Sequence, residues 1–84
     1  MTDAAFEAAV VAIIADTFSA DAARIGRQTT ADDVEGWDSL GHGILLARLS
    51  QKLRIEIGED IAVDSKNVGE LVDRLIAERE RGSR

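Results

Sequence analysis

The residue best placed to do chemistry in this 84-residue chain is Ser39. It stands in Gly36-Trp37-Asp38-Ser39-Leu40-Gly41-His42, where a polar stretch gives way to apolar residues at helical spacing. A serine at the junction of a loop and a helix presents its hydroxyl beside backbone N–H groups that have no partner inside the helix. A phosphate attached there would be favoured by those groups and by the positive end of the helix dipole. The plainer reading is that Asp38 or Ser39 is only an N-cap, a frequent use of both residue types at such a place. Catalysis by Ser39 fits poorly. A nucleophile elbow is Gly-x-Ser-x-Gly on a strand-to-helix turn, and here Trp37 stands two residues before the serine. His42 lies three residues along the same helix and could come near Ser39, but no orienting carboxylate and no oxyanion hole accompany the pair. His42 reads as a solvated residue, and no catalytic residue is expected.

The other reactive groups exclude more than they suggest. The chain has no cysteine and one histidine, so a disulfide framework, a thiolate zinc site, a cysteine nucleophile and a multi-histidine metal site are all ruled out. Asp32, Asp33, Glu35 and Asp38 lie close together but do not follow calcium-loop spacing, and no dedicated metal site is expected. Arg48, Lys52 and Arg54 lie on or just after the same helix without interleaved aromatics, which reads as a solvated or protein-docking face rather than a nucleic-acid platform. The formal net charge of −6 points the same way. Phosphate binding needs a basic face, whereas an acidic protein suits basic surfaces on protein partners. The acidity is uneven: residues 1–38 hold eight acids and two bases, and residues 39–84 hold eight of each.

The elements that must position Ser39 are mostly helical. Phe6, Val10, Ile13, Ile14 and Phe18 recur at steps of three and four, which predicts a first helix over about residues 3–18 with Thr2 or Asp3 as cap. Residues 19–38 lose that period and read as a long loop, with Ile25, Val34 and Trp37 pinning it across the core and a short helical turn near Asp21–Ile25. A second helix runs from Asp38 or Ser39 to about Leu53, with Leu45, Leu46, Leu49 and Leu53 as its buried stripe. Gly41 and Gly43 in its first turns each cost about 1 kcal/mol against alanine, which points either to a close approach or to a frayed turn. Residues 53–63 are ambiguous between a marginal hairpin and a loop. The reading adopted is an extended loop and a short helix at about 60–65. Asn67-Val68-Gly69-Glu70 resembles a capping box and opens a last helix over about 68–80, ended by Gly82. Three main helices and one short helix predict an all-α, small four-helix bundle with a long first loop. It forms a single domain over residues 1–80, with 81–84 a disordered tail. The longest apolar run, Ala8–Ala15, is eight residues, against roughly 20 for a membrane span. The start is not that of a signal peptide, so the expected location is the cytoplasm.

With these elements in place, Gly36-Trp37-Asp38-Ser39-Leu40-Gly41-His42 closely resembles the acyl carrier proteins and the related peptidyl carrier domains. The family signature is Asp-Ser-Leu at the start of the second helix, often after Gly-Trp or Gly-Ala. The length, the helix–long loop–helix order and the segment Asn67 to Asp73 agree with it, and the resemblance covers about residues 4–77. It implies that Ser39 is esterified by 4′-phosphopantetheine, taken from coenzyme A by a phosphopantetheinyl transferase with Mg²⁺. The arm ends in a thiol that holds an acyl or aminoacyl group as a thioester, which makes sense of a chain without cysteine. The protein would be no enzyme but a discrete, monomeric carrier, shuttling cargo between a loading enzyme and a downstream synthase or transferase. Asp38 would flank the attachment, and Leu40 would contact the transferase or partner enzymes. Leu45, Leu49, Val68 and Leu75 are candidates for lining an acyl pocket, though ordinary core packing explains them equally.

Two departures narrow the expectation. Fatty-acid carriers of this family have a strongly acidic second helix, and here no Asp or Glu lies between Ser39 and Leu53. Ile61 and Val63 also stand where acidic residues are common, and Ser65 where an apolar one is expected. The carrier is therefore expected to serve a fatty-acid-like, polyketide or other specialised biosynthetic pathway, with Leu40, Ile44, Arg48 and Lys52 facing its partners. The competing function is an unmodified helical interaction module in which Asp38 and Ser39 only cap a helix.

Overall fold

The computed structural model describes residues 2–57 and 65–82. Its first helix, α1, spans Asp3–Phe18. The Thr2 side chain caps it by accepting from the Ala5 N–H at 3.1 Å, which satisfies one of the donors every helix start leaves open. Ser19 closes it in the left-handed region at φ 53°, with its N–H on the Ala15 carbonyl. The second helix, α2, spans Ser39–Leu53 and closes on Arg54, also left-handed at φ 55°. The third, α3, spans Val68–Gly82, and Asn67 Oδ1 caps it by accepting from the Glu70 N–H at 2.9 Å. No strand is present among the described residues.

The apolar stripes meet as their spacing requires. Phe6, Val10 and Ile14 of α1, Leu45 and Leu49 of α2, and Val68, Leu71, Val72 and Leu75 of α3 are all essentially removed from solvent. Burial of this kind is the main favourable term in folding so small a domain. No described charged residue is buried with them.

The loop between α1 and α2 carries two single 3-10 turns, Ala22–Arg24 and Ala31–Asp33. The first falls where a turn was expected, under an Asp21 cap. The second has no apolar periodicity and rests on a capping box between Thr30 and Asp33. Ile25 and Val34 are buried, and Trp37 packs partly buried against the core.

The loop is also tied to the head of α3. The Val68 N–H donates to the Thr29 carbonyl at 2.8 Å, and the Gly69 N–H to the Arg27 carbonyl at 2.9 Å. Arg27 completes the tie. Its guanidinium donates to Glu7 of α1, to Asp73 of α3 at 2.7 Å and to the Gly69 carbonyl at 3.2 Å. The bond to Asp73, and then that to Glu7, raises the Arg27 pKa above its already high ordinary value. A Cβ at position 69 would stand 3.0–3.1 Å from three Arg27 atoms, so glycine is what lets the loop cross so closely.

Two expectations meet the boundaries of the description. The short helix at 60–65 lies outside the described residues except for Ser65, which is not helical. The α3 helix runs two residues past its expected end at residue 80, through Arg81 and Gly82, where the sequence reading began the tail. The pair from Arg81 to Glu78 at 2.8 Å, and the favourable placing of arginines at a helix C-terminus, support that extra half turn.

Candidate functional site

The head of α2 assigns different tasks to two neighbouring residues. Asp38 is the cap: its backbone is extended, its Oδ1 accepts from the Gly41 N–H at 2.8 Å, and its carbonyl receives the His42 N–H at 2.8 Å. Ser39 is the first helical residue and is exposed. Its hydroxyl is not needed for capping. The N–H groups of Ser39 and Leu40, in the first turn, have no acceptor inside the helix. The hydroxyl therefore stands in solvent beside backbone donors and the positive helix end.

The loop that delivers Asp38 approaches α2 closely. Gly36 has φ 89°, a left-handed conformation that glycine adopts without strain. Its carbonyl oxygen would lie 2.2 Å from a Cβ at Gly41, and Phe18 Cε1 would lie 2.9 Å away. Of the two glycines the sequence singled out, Gly41 is thus required by a close approach. A Cβ at Gly43 would meet nothing within 4 Å.

Three rings wall the site. Phe18 and Trp37 stack with centroids 5.4 Å apart, inclined at 18°, and the His42 ring lies nearly parallel to the indole at its N–H edge, with centroids 6.2 Å apart. The Trp37 indole Nε1–H donates to His42 Nδ1 at 2.9 Å, so that nitrogen carries no proton in this arrangement. His42 is therefore not a solvated residue, as its sequence position alone had implied, but part of an ordered aromatic wall.

Beside Ser39 lies a cleft of about 500 Å³ lined by Ala31, Trp37, Asp38, Ser39, His42, Ser65 and Asn67. The Ser65 hydroxyl is buried and has no hydrogen-bond partner among the described residues. Ser65 and Asn67 are site residues that motif reasoning missed. The polar residue at 65 in a position expected to be apolar was the one signal available.

The remaining candidates divide. Leu40 and Ile44, one turn apart on α2, are 76% and 49% exposed. With Gly36, Gly41, Glu35 and Thr17 they border a second, shallower groove. Lys52 is exposed. Arg48 is only partly exposed and donates to Asp16 at 3.1 Å and to the Thr17 hydroxyl at 3.3 Å, so it ties α2 to α1. Leu45, Leu49, Val68 and Leu75 are at 0% exposure in the packed core, and none of them lines the cleft beside Ser39. Among the described residues, no group of three or more His, Asp or Glu is placed to hold a metal ion. No described helix is long and apolar enough to cross a membrane.

The chain belongs to the phosphopantetheine attachment site family, whose model matches residues 8–75. No curated protein and no solved structure gives a match. The family carries covalently attached 4′-phosphopantetheine, and that is the cofactor of this chain. Its carrier domains typically tether rather than catalyse, and they interact with phosphopantetheinyl transferase and with biosynthetic enzymes. The site suits such a group: the arm's phosphate would meet an exposed helix head, and Ser65, whose buried hydroxyl has no partner among the described residues, lines the adjoining cleft.

Proposed function

We propose that Ser39 is the residue that carries 4′-phosphopantetheine, and that the protein delivers an acyl or aminoacyl group between enzymes of a specialised biosynthetic pathway. The observation that carries this reading is the division of labour at the head of α2. Asp38 alone caps the helix, so the exposed Ser39 hydroxyl has no structural task. An unmodified interaction module capped by Asp38 would show the same cap, and it is the family match that favours attachment. Beside the hydroxyl, the N–H groups of Ser39 and Leu40, which have no acceptor inside the helix, and the helix dipole suit an attached phosphate. When bound, the arm supplies the thiol that the chain lacks and holds the cargo as a thioester. The chain's own residues do the rest. Asp38 and Gly41 fix the helix head, and the stacking of Phe18 on Trp37 and the Trp37–His42 hydrogen bond hold the loop before Ser39 in place.

Partner contact is assigned to Leu40 and Ile44, the large apolar side chains exposed on the Ser39 end of α2, with Lys52, exposed near the far end of the same helix, as a further contact. Arg48 contributes less, because Asp16 and Thr17 already hold its guanidinium. With no acidic residue on α2, the partners differ from enzymes that dock on an acidic helix through basic patches.

The test is intact-mass measurement after incubation with coenzyme A, Mg²⁺ and a broad-specificity phosphopantetheinyl transferase. The expected result is a gain of one phosphopantetheine in the wild type and none in Ser39→Ala. Ser39→Ala should also keep wild-type stability within about 0.5 kcal/mol, as an exposed surface change does. No gain under conditions that modify a control carrier would overturn the proposal and favour the unmodified interaction module.

A further inference from the structure

The cleft beside Ser39 has a composition that the attachment reading does not use. Its walls are partly aromatic, from Trp37 and His42, and partly polar, from Ser65 and Asn67. The aromatic wall is fixed, because Trp37 is stacked on Phe18 and has committed its N–H to His42. Asn67 has committed its Oδ1 to the Glu70 N–H, which leaves its NH₂ group as a donor. The Ser65 hydroxyl, both donor and acceptor, is removed from solvent and has no partner among the described residues. An orphaned buried hydroxyl is unfavourable, and native structures leave few of them without a reason. The apolar side chains that could receive an alkyl chain, Leu45, Leu49, Val68 and Leu75, are packed away beneath.

We infer that this cleft receives a hydrogen-bonding segment of whatever is tethered to Ser39, with the Ser65 hydroxyl and the Asn67 amide as partners for a hydroxyl or amide group, and that it disfavours a plain alkyl chain. The inference rests on attachment at Ser39. An alkyl segment in the cleft would leave the Ser65 hydroxyl unbonded. A hydroxyl or amide would complete it. Two sources offer that chemistry, the pantetheine arm itself and a hydroxylated or amide-bearing cargo on its end.

The experiment compares four forms of the full chain: unmodified, carrying the arm alone, carrying butyryl, and carrying 3-hydroxybutyryl. Intact mass establishes each form before any other reading. NMR then follows the Ser65 and Asn67 amide groups and the Trp37 indole N–H. Shifts at Ser65 and Asn67 on adding the arm alone, unchanged by butyryl, identify the arm as the source. Shifts that arise only with 3-hydroxybutyryl identify the cargo. In either case the shifts are lost in Ser65→Ala and restored in Ser65→Thr, which keeps the hydroxyl and so separates its loss from a general disturbance of the fold. The inference is overturned if no form moves these signals, if butyryl moves them as far beyond the arm alone as 3-hydroxybutyryl does, or if Ser65→Ala leaves the shifts intact. Absence of any mass gain is a separate failure, which removes attachment and this inference with it.

Discussion

Replacing Gly41 by alanine tests the close packing on which the candidate site depends. In an open helix the change is favourable by about 1 kcal/mol, because alanine loses less backbone entropy than glycine. At position 41 the new Cβ would stand 2.2 Å from the Gly36 carbonyl oxygen, where ordinary contact begins at 3.4 Å. The obstacle is backbone, on a residue at φ 89°, and the second obstacle is the Phe18 ring at 2.9 Å, itself stacked on Trp37. Neither can swing aside as a long side chain would. Overpacking costs about 1–3 kcal/mol, and a backbone obstacle argues for the upper end. Set against the helix gain of about 1 kcal/mol, the expected net loss is about 2 kcal/mol. For a domain of this size the urea slope is about 1 kcal/mol per molar, so the unfolding midpoint should fall by about 2 M. Gly43→Ala is the control. A Cβ there meets nothing within 4 Å, so it should raise the midpoint by about 1 M. If Gly41→Ala is as stable as the wild type, or gains as much as Gly43→Ala, then the Gly36 carbonyl does not lie against the helix and the described site geometry is wrong.

Two further changes probe how the loop and α3 are held. Asn67→Ala removes the cap on the Glu70 N–H and should cost about 0.5–2 kcal/mol in urea unfolding; an unchanged midpoint would show that the cap contributes nothing. Arg27→Gln breaks the ties to Glu7 and Asp73, so hydrogen exchange of the Val68 and Gly69 amides should quicken before that of the core of α3. Exposed ion pairs are screened by salt, so the wild type should move towards the variant as ionic strength rises. Exchange rates indifferent to both the substitution and salt would place the hold on the loop entirely in its backbone bonds. The raised pKa of Arg27 adds no pH dependence to this in the neutral range. A base held more tightly as its charged form contributes stability below its unfolded-state value and loses it only as pH rises through the higher folded value.

The three long helices were legible because each buries one stripe, and a stripe is written locally in steps of three and four. What was illegible is non-local or depends on a choice between neighbours. The bonds from Val68 and Gly69 to the carbonyls of Thr29 and Arg27 involve backbone atoms that every residue has, so no residue type announces them. Propensity marked Gly41 and Gly43 alike, and only the path of the Gly36 loop separates them. Either Asp38 or Ser39 could have been the cap by residue preference. The fold gives the cap to Asp38 and leaves Ser39 exposed. His42 was read as solvated because a lone histidine carries no partner in its pattern. Its partner, Trp37, becomes visible once the turn before α2 is folded. Arg48 was read with Lys52 as one basic face, yet it reaches back to Asp16 across the packed pair of helices.

The uneven charge takes on a definite meaning once its partners are known. Of the eight acids in residues 1–38, Asp3, Glu7 and Asp16 are paired with Arg79, Arg27 and Arg48. Asp21, Asp33 and Asp38 are bound up in caps. Only Asp32 and Glu35 have neither role among the described residues, and Glu35 borders the groove beside Leu40 and Ile44. Most of this acidity is therefore engaged in pairs and caps, and the large side chains that α2 exposes beside Ser39 are the apolar Leu40 and Ile44. Recognition there should follow apolar contact, in which a few buried side chains carry most of the energy at about 1–2 kcal/mol or more each. Leu40→Ala should then raise the KM for a modifying transferase about tenfold, the equivalent of about 1.4 kcal/mol, while Glu35→Gln changes it little. Raising salt from low to physiological strength should also change it little, since screening acts on charges rather than on apolar burial. A steep salt dependence with an indifferent Leu40→Ala would reverse that assignment and make Glu35 and Lys52 the determinants of docking.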